Sequence, residues 1–223
     1  IQQIATIYVP SYICHEAVDS LIFSQVNIRY YPVKPDLTPD WDWLENEVQS
    51  PNGLLLLVHY FGFANDLTKA VSFSKKHGLL LLEDCAHSFL TTVNGYVIGS
   101  FGDAAIYSYR KILPLPTGAG LRFKDPASLF PKSQTSLNWE AYIGIAKQIV
   151  KYFLYKSRVP KFIWSTPTQY MNHLVESPMV QHNDLRAVPS ICMKLMGQLE
   201  STFDDITRIR RLNYDFLANH FAE

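Results

Sequence analysis

Short unbroken apolar runs alternate with amphipathic stretches along the first half of the chain. Ile4 to Val9 reads as a buried strand, stopped by Pro10-Ser11. Glu16 to about Phe23 has helical spacing, with Ala17, Leu21 and Ile22 near one face. Val26 to Val33 returns to strand character. Thr38-Pro39-Asp40 opens a helix, with Pro at an early position and acids in the first turn, that runs to about Val48. Pro51-Asn52-Gly53 is a turn before the apolar run Leu54 to Val58. Asp66 starts another helix, and Lys75-Lys76-His77-Gly78 closes it. Cations suit the carboxyl end of a helix, and Gly adopts the left-handed conformation that stops one. Leu79 to Leu82 and Ala104 to Tyr107 are further apolar strands. Strands apolar on both sides and joined by helices predict an α/β fold, a three-layer αβα arrangement with a mostly parallel sheet. Ligands of such sheets sit beyond the carboxyl ends of the strands.

Asn94-Gly95 between Thr91-Thr92-Val93 and Tyr96-Val97-Ile98 reads as a small hairpin. The prolines and glycines of Leu113 to Gly120 predict a loop leading into a strand, Leu121 to Phe123. Beyond Lys124 the character changes. Asp125 to Ser136 is loop-like, Trp139 to Tyr155 is read as helix, and Ser157 to Val188 has scattered prolines without a period. Cys192 to Phe221 carries one long amphipathic pattern through Leu195, Leu199, Phe203, Ile206, Ile209 and Leu212. Two units follow: a core over residues 1–130, and a mainly helical extension over residues 131–223.

Charge adds little, since 20 basic and 20 acidic residues cancel. With no charged block, no nucleic-acid partner is expected. Cys14, Cys85 and Cys192 are far apart and lack CxxC spacing, which argues against a disulfide framework and against a zinc site. Ile1 to Pro10 holds no basic segment followed by a long apolar run, and the longest apolar runs are strand-sized. The expectation is a soluble cytoplasmic protein with no membrane partner.

The residues just after the strands carry the candidate chemistry. Asp84 follows four leucines and Glu83, at the rim of a buried layer. It is either a helix N-cap or structural ion-pair member, or an acid aimed at a ligand. Lys111 closes the run Ser108-Tyr109-Arg110-Lys111 after the next strand. A strand-end acid with a strand-end lysine is what pyridoxal phosphate requires. The amine forms a Schiff base with the aldehyde, and the acid keeps the pyridine nitrogen protonated. Tyr107, Tyr109, Ile112 and Leu113 around Lys111 predict partial desolvation, which with the adjacent Arg110 favours the neutral amine. Ser108 is either a turn serine or a donor to the cofactor phosphate. His87, three residues past Asp84, would share a face with it if the strand ran into a helix. It is either a satisfied buried histidine or a contact to the cofactor phenolic oxygen. His59 has the same two readings. No GxGxxG or GxxxxGK[ST] follows the first strand, which disfavours an unrelated nucleotide-binding α/β enzyme.

These pieces, in order, resemble the DegT/DnrJ/StrS family of pyridoxal-phosphate-dependent aminotransferases: Val9-Pro10-Ser11-Tyr12, Val58-His59-Tyr60-Phe61-Gly62, the helix ending Lys75-Lys76-His77-Gly78, Glu83-Asp84-Cys85-Ala86-His87, Gly99-Ser100-Phe101-Gly102-Asp103, Tyr107-Ser108-Tyr109-Arg110-Lys111 and Thr117-Gly118-Ala119-Gly120. Arg210-Arg211-Leu212-Asn213-Tyr214 resembles the helix that leads into the family's small domain. The resemblance implies the large domain of fold type I, with Lys111 as Schiff-base lysine, Asp84 on the pyridine nitrogen, Ser108 on the phosphate and His87 at the cofactor oxygen. It further implies a homodimer that moves an amino group from glutamate or glutamine to a keto sugar, nucleotide-linked, in cell-surface polysaccharide or secondary-metabolite sugar biosynthesis. Relative to that family, the chain begins after the phosphate-binding Gly-Thr or Gly-Ser turn and stops where the small domain should begin, so a fragment or shortened paralogue is expected. Cys14 stands where many members place a stacking aromatic ring, and the loop from Ser108 to Lys111 is shorter. A catalytically impaired or regulatory relative is the alternative.

Overall fold

The computed structural model describes residues 4–22, 26–49, 51–115, 117–125 and 188–221, together with the helical positions Ile143, Ala146, Lys147 and Val150. The predicted stretches 126–136 and 157–187, and most of 139–155, lie outside the described residues.

The first part runs β1 (Thr6–Pro10), α1 (His15–Ile22), β2 (Asn27–Tyr31), α2 (Trp41–Glu47), β3 (Gly53–Val58), α3 (Leu67–His77) and β4 (Leu80–Asp84). A small antiparallel hairpin follows, β5 (Thr92–Val93) with β6 (Tyr96–Val97). Then come β7 (Ala104–Ser108), the short helix α4 (Tyr109–Ile112) and β8 (Ala119–Phe123). The six-stranded sheet has the order β2-β1-β3-β4-β7-β8. Every pairing in it is parallel except that of β7 with β8.

Strand alternation builds the two faces. Leu55 and Leu57 of β3, with Tyr8, Leu79 and Leu81, pack against Trp41 and Leu44 of α2 and Leu67, Ala70 and Phe73 of α3. Leu56 and Val58, one residue out of phase, pack with Ile7 and Val9 against Val18 of α1. The three-layer αβα arrangement follows. The chain steps from β1 outward to β2, then reverses past β1 to β3, so crossovers of the usual right hand put α1 and α2 on opposite faces. That reversal between β1 and β3 makes the carboxyl end of the sheet the place for a ligand.

Local chemistry sets the ends of the elements. The Asp40 and Asp66 side chains accept from the Trp43 and Lys69 amides and cap α2 and α3. Asp40 is therefore the cap of α2, and Thr38-Pro39 lies outside the helix, with Pro39 bridged to Val33. Asn94 and Gly95 both have positive φ, as a two-residue hairpin turn of this hand demands. The loop expected through Gly120 is shorter than predicted, because Ala119 and Gly120 already pair with Ser108 and Tyr107. The long amphipathic pattern at the end is two helices, α5 (Ser190–Leu199) and α6 (Phe203–His220). Between them lies a tighter turn at Glu200–Thr202, where the Thr202 hydroxyl donates to Leu199 O at 2.7 Å. Among the described residues no helix is long and apolar enough to cross a membrane.

Leu57 has no exposure, whereas Leu80 is 41% exposed. Leu57→Ala is expected to cost about 2–5 kcal/mol in urea unfolding, and Leu80→Ala less than about 1 kcal/mol.

Candidate functional site

The sheet delivers the predicted residues to one end. Asp84 is the last residue of β4, paired across from Val58 and Ile106. It is buried, and its Oδ1 accepts from the Ala86 amide at 2.9 Å. No helix follows β4, so Asp84 is not a helix cap. The chain turns instead, with the Ser88 amide donating to Cys85 O at 2.9 Å, and this turn presents His87. No cation forms an ion pair with Asp84 among the described residues.

Lys111 lies on α4, directly after β7, and its Nζ is 3.2 Å from His87 Nε2. The Lys111 and Asp84 charges both act on the His87 ring, in opposite senses. Acid, imidazole and amine thus form one cluster at the carboxyl ends of β4 and β7. The expected desolvation of Lys111 is corrected: the side chain is exposed, because the helical turn directs Leu113, at 2% exposure, inward and leaves Lys111 on the outer side. Burial first, and then the Lys111 charge, hold His87 below the ordinary imidazole range. Ser108 ends β7 and precedes α4, but its hydroxyl makes no cap to that helix and stays available to a ligand.

Beside this cluster is an open cleft of about 880 Å³, with His87, Phe61, Phe63 and Ile112 on one wall and Arg208, Arg211 and Tyr214 of α6 on the other. Its size suits a small-molecule ligand. The Phe63 and Tyr214 rings meet edge-on at 5.4 Å across it.

The family model for the DegT/DnrJ/EryC1/StrS aminotransferases matches residues 25–126, a span that holds Asp84, His87, Ser108 and Lys111. Residues 25–126 are similar to that family. The dTDP-4-dehydro-2,3,6-trideoxy-D-glucose 4-aminotransferase of Saccharopolyspora spinosa is 33% identical over 39% of this chain and 23% of its own length. The L-glutamine:2-deoxy-scyllo-inosose aminotransferase of Streptomyces kanamyceticus is 28% identical over 43% of this chain and 23% of its own. The crystal structure of the aminotransferase TlmJ from Streptoalloteichus hindustanus matches with a TM-score of 0.51 and 25% identity, over 56% of this chain and 35% of that one. The chain spans under a quarter of the length of those two curated relatives.

Within this matched segment, His59 is a structural residue rather than a ligand contact. Its Nδ1 accepts from the Asn65 amide at 3.1 Å, so Nε2 carries the proton and donates to Glu83 Oε2 at 3.1 Å. Both residues are fully buried. Glu83 also accepts from the Gly99 amide on Oε2 at 2.9 Å, and from Phe101 and Gly102 on Oε1 at 2.9 and 2.6 Å. Burial alone would push this carboxyl up, but the bonds from His59 and from the Gly102 and Gly99 amides outweigh it and hold it below its ordinary value. The ligating atoms of His59, Glu83 and Cys85 lie within 4.8 Å of one another. Both ring nitrogens and both carboxylate oxygens are already engaged, and burial raises the Cys85 thiol, so the trio is a closed structural cluster.

Glu83 escaped the sequence reading because its neighbour Asp84 is the more conspicuous acid. Two signals were present: the alternation of a strand, which turns successive side chains to opposite faces, and the Gly99-Ser100-Phe101-Gly102 loop, rich in accessible amides. Phe61 escaped as well. It lines the cleft, and its ring is parallel to the His87 imidazole.

Removing half of the Glu83 acceptor set leaves buried amides unpaired. Glu83→Gln is expected to destabilise the fold by about 3–5 kcal/mol in urea unfolding. The folded pKa of Glu83 lies below its unfolded value, so its contribution is complete above the unfolded value and is lost as pH falls through the folded one. Urea midpoints measured downward from about pH 6 should fall more steeply in the wild-type chain than in Glu83→Gln.

Proposed function

We propose that this chain carries the cofactor-binding core of a pyridoxal-phosphate-dependent aminotransferase. It would move an amino group from glutamate or glutamine to the carbonyl of a keto sugar, nucleotide-linked, in polysaccharide or secondary-metabolite sugar biosynthesis. The observation that carries this reading is the joining of Asp84, His87 and Lys111 at the carboxyl ends of β4 and β7, within the family-matched segment.

The residues present fit the cofactor. A buried carboxylate without a cation partner is costly. Asp84 is such a group, with one oxygen on the Ala86 amide, and a protonated pyridine nitrogen is the partner it lacks. Ser108 would offer its hydroxyl to the phosphate, His87 would meet the phenolic oxygen, and Lys111 would present Nζ to the aldehyde. When bound, pyridoxal phosphate supplies an electron sink that stabilises negative charge at the substrate α-carbon. Lys111 would then carry the proton at the substrate carbon, and its exposed position on α4 gives the amine room to move. Asp84 would hold the ring nitrogen protonated, which would make that proton easier to remove. The aromatic and arginine walls of the neighbouring cleft suit the acceptor. The names of the relatives support both halves of the reaction, one carrying a dTDP-linked sugar and the other L-glutamine.

Mixing the chain with pyridoxal phosphate is expected to produce a yellow protein, and borohydride should then fix the cofactor to the peptide containing Lys111. Lys111→Ala should lose both signals. Asp84→Asn should retain the cofactor about 10- to 100-fold less well, as expected for losing a charge-assisted hydrogen bond. A colourless protein, or cofactor fixed elsewhere, would refute the assignment.

A further inference from the structure

The turn after β3 holds a conformation its sequence does not favour. Phe61 sits at φ 55°, ψ 19°, in the left-handed region that a large aromatic residue avoids. Such a conformation persists only where its surroundings over-determine it, and it clusters at functional sites. Here the Phe63 amide donates to Tyr60 O, the Thr91 hydroxyl to Gly62 O, and the Tyr60 hydroxyl to Tyr12 O. What the pinned turn delivers is the Phe61 amide, directed at His87 Nδ1 at 3.4 Å, and the Phe61 ring, 5.6 Å from the imidazole with 6° between the planes.

That amide selects a tautomer. A donor at Nδ1 needs a lone pair there, so the single proton of the neutral imidazole is on Nε2. Nε2 faces Lys111 Nζ at 3.2 Å. We propose that His87 is a positioning residue for Lys111: the Phe61 amide fixes the imidazole as its Nε2–H form, and Nε2–H can donate to the lone pair of Nζ, a hydrogen bond that the amine gains in the neutral form that attacks an aldehyde and that the ammonium lacks. An ammonium at Nζ would call for the other tautomer and would set Nδ1–H against the Phe61 N–H. Among the described residues, the charged groups around the ring are Lys111 on α4, Asp84 at the end of β4, and Asp204, Arg208, Arg210 and Arg211 of α6 on the shared cleft. Burial is the first cause that holds the His87 ring below the ordinary imidazole range, against the Asp84 charge, and it acts whether or not Nζ carries a charge. The hydrogen-bond geometry stands without the cofactor; its catalytic meaning rests on the reading of Lys111 given above.

Proton–nitrogen correlation spectra of the histidine-labelled chain, without cofactor and near neutral pH, read the tautomer directly, with His87→Leu identifying the signal. Nε2 protonated and Nδ1 bare is the expected result; a proton on Nδ1 overturns the proposal. A second arm follows capture of pyridoxal phosphate by Lys111, trapped with borohydride, across pH. His87→Leu should slow capture about tenfold near neutral pH, the value of one hydrogen bond, and move its rise to higher pH. His87→Gln, whose amide nitrogen can donate to Nζ, should recover most of the rate. Identical pH profiles in wild type and His87→Leu overturn the proposal. If the wild-type chain captures no cofactor, the cofactor reading falls and the tautomer spectrum alone decides the relay.

Discussion

Glu83 is an ionised carboxylate with no exposure to water, and such a group is tolerated only when its lone pairs are filled. Its donors come from two other parts of the chain, the end of β3 through His59 and the loop before β7 through Gly99, Phe101 and Gly102. One side chain therefore ties the carboxyl ends of β3 and β4 to the loop that enters β7. The loop can wrap the carboxylate because Gly99 takes a positive φ. Gly102 lies so close to Leu81 O that a Cβ there would be 2.6 Å from it.

This knot has a consequence for the next residue. Strand alternation directs Asp84 away from Glu83, toward the face where Leu82 packs. The two adjacent acids thus take separate roles: Glu83 is satisfied internally and holds the sheet end rigid, while Asp84 keeps one oxygen uncommitted. The turn that follows is anchored by the Ser88 hydroxyl on His59 O at 3.0 Å, so the same knot sets where His87 emerges. A functional site held on strand ends and anchored turns is more precise than one held on a mobile loop.

Electrostatics beside the cluster follow from the same packing. Burial raises the Tyr60 phenol, with the Asp84 charge adding to the effect, so its hydroxyl serves as a donor to Tyr12 O rather than as an acid. Tyr107 is likewise pushed up, to about 12, chiefly by burial, and donates to Ile98 O. At the cleft, burial and then the Lys111 charge hold His87 below the ordinary imidazole range.

The order of strands and helices, the covered parallel sheet and the candidates Asp84, His87, Ser108 and Lys111 were legible in the amino-acid sequence. Apolar periodicity reports burial directly, and residues just past strand ends lie where such sheets bind ligands. The antiparallel course of β8, the exposure of Lys111, the break between α5 and α6 and the true role of His59 were not legible. Each depends on which distant segment supplies a partner. Phe61 shows the limit most sharply. Its left-handed backbone runs against local preference and is held by contacts from Tyr12 and Thr91. Chain pattern alone determined which residues reach the sheet end; only tertiary packing decided which of them spend their hydrogen bonds on each other and which remain for a ligand, because a lone pair's availability is set by neighbours remote in the chain.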